Sequence, residues 1–152
     1  MGPFNLVIPT EKVEVAGGEP ITVRGLSPND GLQLYYRHSG QLSALFDQFA
    51  GKVKSKEPVA ESDVIQAGVT MVSGAPLIMA EIIALAIGAK TDDIEGFAEI
   101  VSKLIDSPAG FQMDALQKIG KLTFSSDMPP GKFFGLVLAM AQSATAALNQ
   151  KA

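Results

Sequence analysis

Polar and apolar residues alternate in two short stretches near the start of the chain, KVEV (12–15) and ITVR (21–24). A period of two is what a half-buried strand requires. AGGEP lies between them, and its paired glycines can take the positive φ angles of a hairpin connection. A β-hairpin is therefore predicted, with Val13, Val15, Ile21 and Val23 on mixed faces, preceded by an irregular arm over residues 1–11. A lone hairpin is marginal in water, so this one must lean on helices.

From SPND onward the spacing changes to threes and fours. Ser27 suits an N-cap, Pro28 a first helical turn, and Asp30 the positive end of the helix dipole. The helix is predicted to run to about Ala50, burying Leu32, Tyr35, Leu42, Leu45, Phe46 and Phe49, with Gly40 weakening its middle. After the polar loop GKVKSKEP, a second helix starts at Glu61 or Ser62 and carries Val64, Ile65, Val69, Met71 and Val72. Pro76 breaks it near Gly74, and a restarted helix stops at Gly88. The stripe Ile94, Phe97, Ile100, Val101, Leu104, Ile105 marks an amphipathic helix that ends before Pro108. A short helix follows with Phe111, Leu116, Ile119 and Leu122, then a stop at SSDMPPG and a last helix over 131–148. The expected fold is mainly α: one domain over 1–152, with the arm and hairpin in 1–26 and a bundle of five or six helices in 27–148.

One segment departs from amphipathic spacing. PLIMAEIIALAIGA (76–89) carries a single charge, Glu81, and apolar side chains in every helical direction. The stretch from Val64 to Ala89 is long enough to span a bilayer. Against that, Gly74-Ala75-Pro76 cuts it, Glu81 is costly in hydrocarbon, and the flanks Glu61, Asp63, Asp92 and Asp93 are acidic. No membrane partner is expected. A bundle can hide one such helix, but the last helix is also uncharged between Lys132 and Lys151. Part of this surface should therefore meet another polypeptide. The candidate partner-binding residues are Leu77, Ile78, Met79, Ile82, Ile83, Leu85 and Ile87, with Phe133, Phe134, Leu136, Val137 and Met140 on the last helix. Thioethers such as Met71, Met79 and Met140 suit surfaces that adapt to variable partners.

Composition narrows the chemistry. The 152 residues are 47% hydrophobic and 18% charged, which describes a folded chain. The formal net charge is −4, and the twelve basic residues are scattered, which disfavours nucleic acid. Without cysteine there is no disulfide or thiolate metal site, and a reducing compartment fits. The N-terminal residues lack the features of an export signal, and Leu6 stands where myristoylation needs a hydroxyl. His38 is the one histidine and is read as structural; Asp92 and Asp93 read as helix N-terminal charge. AGGE and SGAP do not match a phosphate loop. No catalytic residue, metal or cofactor is expected.

Residues 13–46, VEVAGGEPITVRGLSPNDGLQLYYRHSGQLSALF, resemble the tail assembly chaperones of long-tailed bacteriophages, also called pre-tape-measure proteins. The resemblance rests on Gly17, Gly18 and Glu19 in the turn, on Val23 to Asp30, and on His38 followed by Leu42, Leu45 and Phe46. It implies a mostly helical, non-enzymatic protein of the host cytoplasm that coats the apolar tape measure protein and recruits tail tube subunits. Self-association is a further possibility, with the hairpin as a docking element or an edge. The alternatives are a structural tail or virion component and a small membrane-active protein.

Overall fold

The alternating segments pair as the pattern requires. Strands β1 (Thr10–Val13) and β2 (Ile21–Arg24) form a two-stranded antiparallel sheet, with Thr10 opposite Arg24 and Val13 opposite Ile21. Gly17 (φ 77°) provides the left-handed residue of the connection. In a computed structural model, which describes residues 7–38, 40, 75–125 and 127–150, five helices follow. They are α1 (Pro28–Arg37), α2 (Pro76–Ile87), α3 (Ile94–Ile105), α4 (Ala109–Thr123) and α5 (Pro130–Gln150). The expected helix over 61–73, residues 41–50 of the first helix and the polar loop lie outside the described residues.

The hairpin leans on α4 and α2. Val13 and Val23 are completely buried, and Lys118 Nζ on α4 donates to the Lys12 carbonyl at 2.7 Å. The passage from hairpin to α1 is held by a dense set of hydrogen bonds. Asp30 N–H donates to Ser27 Oγ (3.1 Å), and Ser27 N–H donates back to Asp30 Oδ2 (2.8 Å), a reciprocal capping box. Arg24 grips the same carboxylate through Nη1 (2.5 Å) and Nη2 (3.3 Å). Leu26 N–H donates to Thr123 Oγ1 at the end of α4 (2.9 Å).

Gly25 makes that junction possible. A Cβ there would lie 2.6 Å from the Leu122 carbonyl carbon and oxygen, and backbone cannot retreat as a side chain can. Gly25→Ala is expected to destabilise the protein by about 2 kcal/mol, read as a lower urea midpoint with an unchanged slope. Gly31 does the same service on α1, where Val137 and Phe133 of α5 close in on its bare Cα.

Helix α2 occupies the centre, packed by α1, α3, α4 and β2. Ala80, Ala84 and Ala86 let these neighbours approach closely, and the helix ends at Gly88 (φ 109°). The expectation of a partner surface over residues 77–87 is narrowed here: Ile78, Met79, Ile83 and Leu85 are core residues, whereas Leu77 and Ile87 are exposed. Strand β2 of the hairpin supplies one of the walls that cover α2. Two other stripes also differ from the reading. On α1 the buried positions are Asp30, Gly31 and Leu34, with Leu32 and Tyr35 only half-buried, and the helix ends at Arg37 as His38 leaves helical geometry. On α3 the buried positions are Phe97, Val101 and Leu104, while Ile94 is 77% exposed. Among the described residues, no helix is long and apolar enough to cross a membrane.

Candidate partner-binding cleft

Glu81 raises a local difficulty that the fold must answer. It sits mid-helix on α2 with 1% of its side chain exposed, where an unpaired carboxylate costs several kcal/mol. Two groups at the C-terminal end of α1 answer it. Arg37 Nε donates to Oε1, and His38 Nε2 contacts Oε2. No buried side-chain polar atom among the described residues is left without a partner. A basic group in the last turn of α1 also suits the negative end of that helix.

These residues form one wall of an open cleft of about 570 Å³. Its other walls are Leu77 from α2 and Phe97, Ala98, Val101, Ser102 and Ile105 from α3. The Arg37 guanidinium carbon stands 5.1 Å from the centroid of the buried Phe97 ring, a cation–π contact. Leu77 is 49% exposed and Ile105 37%, so each of the two helices contributes an exposed aliphatic residue to the cleft. Leu77 opens α2 and Ile105 closes α3, which means the pair runs antiparallel. Their opposite ends expose Ile87 and Ile94. Ser102 lines the same cleft, but its hydroxyl makes no hydrogen bond to His38 among the described residues, and the imidazole is turned to Glu81. The arrangement holds an ion between apolar walls.

The twelve candidate residues therefore separate by position. Leu77, Ile87 and Leu136 face outward, and Ile82 and Met140 are half-buried. Ile78, Met79, Ile83 and Leu85 lie in the core, and Phe133 and Val137 are buried at the α1–α5 crossing, so these six support a surface without forming it. The side chain of Phe134 lies outside the described residues. Sequence reasoning did not find Arg37 or the α3 wall. A signal was present, since a lone acid in an apolar helix must find a cation, and YYRHSG holds an arginine beside the single histidine.

The model of the pre-tape measure protein family matches residues 1–152, the whole length of the sequence. The chain belongs to that family. Membership ties this pre-tape-measure protein to the bacteriophage tail and to the tape measure, and it extends the resemblance beyond the first third of the sequence. No curated protein and no solved structure matches it. The VRGLSPND motif that carried the resemblance has a structural part here. Arg24, Gly25, Ser27 and Asp30 fasten the hairpin to α1 and to the end of α4, and none of them lines the cleft.

Proposed function

We propose that this pre-tape-measure protein is a non-enzymatic tail assembly chaperone that holds apolar helices of the tape measure protein in solution. It would act in the host cytoplasm and help bring tail tube subunits to the assembly. The observation that supports the reading is the aliphatic surface left on the α2–α3 pair: Leu77 and Ile105 at the cleft, Ile94 and Ile87 at the other end. Partly exposed aliphatic side chains on a rigid helical frame favour helix-against-helix binding. Leu136 on α5 adds a separate point of contact.

Co-expression with tape measure fragments tests this. Serine at Leu77 and Ile105 together is expected to leave the urea midpoint within about 1 kcal/mol, since both side chains are already partly in water. The same variant should lower the soluble yield of the fragments several-fold, and undiminished yield from a folded variant refutes the proposed surface. A structural tail component is the second reading, favoured by the family's link to the tail. Mass spectrometry of purified particles separates the two, because a chaperone should be absent or scarce in them.

A further inference from the structure

We propose that the cleft selects a carboxylate on an otherwise aliphatic helix of its client, and that Arg37 is the group that reads it. The inference rests on the chaperone reading and adds a chemical preference to it. Arg37 commits only Nε to Glu81; neither Nη1 nor Nη2 makes a hydrogen bond among the described residues, and 43% of the side chain is exposed. Arg24 provides the contrast, with both terminal nitrogens bound to Asp30. A guanidinium held at Nε still presents a planar two-nitrogen fork at its far end, the shape that binds a carboxylate bidentately.

The fork is also oriented before anything binds. The guanidinium lies over the Phe97 ring and Glu81 holds its Nε, so less side-chain freedom remains to be lost on binding. Leu77 and Ile105 line the same cleft and are partly exposed in it. The complementary ligand is therefore a helix turn with one Glu or Asp between aliphatic residues. The acidic total of the chain does not oppose this, because exposed charges more than about 10 Å away are largely screened at physiological salt.

The test uses the full chain and a labelled helical peptide of Leu, Ala and Gln made in three forms, with Glu, Gln or Lys at one central position. Fluorescence anisotropy is expected to show the Glu form bound about tenfold more tightly than the Gln form, the scale of one charge-assisted hydrogen bond, and the Lys form weakest. Arg37→Gln should abolish the difference between Glu and Gln forms, whereas Leu77→Ser should weaken both equally. Arg37→Lys, which keeps the charge but not the fork, should retain only part of the preference.

Equal binding of the Glu and Gln forms to the unmodified protein overturns the proposal whether or not any variant folds. So does an undiminished preference in folded Arg37→Gln, or the absence of binding by all three peptides. Self-association of the protein alone that the Glu peptide reverses would put a second copy in the cleft and overturn it likewise. Each of these results can occur with tape measure fragments still solubilised, so the chaperone reading stands or falls separately in the co-expression assay.

Discussion

Ile83→Asp is expected to abolish the cooperative urea transition and the native circular dichroism spectrum, while Ile87→Asp one turn later leaves both nearly intact. Ile83 has no exposed surface and lies where α2 is enclosed by its neighbours. Truncating a fully buried Ile costs about 2–5 kcal/mol through lost transfer energy and the cavity left behind. Asp adds a carboxylate with no cation arranged for it, a further penalty of several kcal/mol. A domain of this size has about 5–15 kcal/mol to lose, so the sum approaches or exceeds its total stability. Ile87 already borders water, and the same change there should cost about 2 kcal/mol, from partial loss of burial and a carboxylate at the negative end of α2, which leaves the fold in place. A folded, fully cooperative Ile83→Asp protein would show that the centre of the bundle has been misassigned. The contrast also governs how the binding surface can be probed: loss of client binding carries information only at exposed positions.

Removing both partners of Glu81 produces the second large effect. Arg37→Leu combined with His38→Leu strands the carboxylate in the core, and a loss of about 3 kcal/mol is expected. The figure sits at the low end of the range for buried ion pairs because Arg37 is itself nearly half in water and its share is screened. Adding Glu81→Leu to the double variant should recover most of that loss, since no uncompensated charge then remains. Urea midpoints of the single, double and triple variants give the comparison directly. If the double variant matches the unmodified protein, the three side chains do not form a coupled unit.

The elements with self-sufficient local chemistry were legible in the sequence. The hairpin followed from a two-residue period with glycines between its halves, and the start of α1 from Ser27, Pro28 and Asp30. The end of α2 followed from Gly88, whose φ of 109° confirms the need for glycine. Burial was read less well where a side chain's fate depended on a distant element. Ile94 matches the α3 stripe by spacing but is the first residue of the helix and remains exposed. Leu34 is buried in the central cluster around α2, while Gly31 on the same helix admits Val137 and Phe133 of α5, a consequence of a missing Cβ that no hydrophobic pattern registers.

The candidate site divides in the same way. The sequence by itself determined that the chain would carry more apolar helix than amphipathic packing explains, that Glu81 would be costly in hydrocarbon, and which family it resembles. Only the tertiary structure decided which of those apolar side chains stay outside. It did so by setting β2, α1, α3 and α4 around α2 and leaving Leu77 and Ile105 partly exposed in an open cleft that Arg37 also lines. The physical reason is that hydrophobicity is a property of one side chain, whereas exposure is settled by what other parts of the chain have room to cover it.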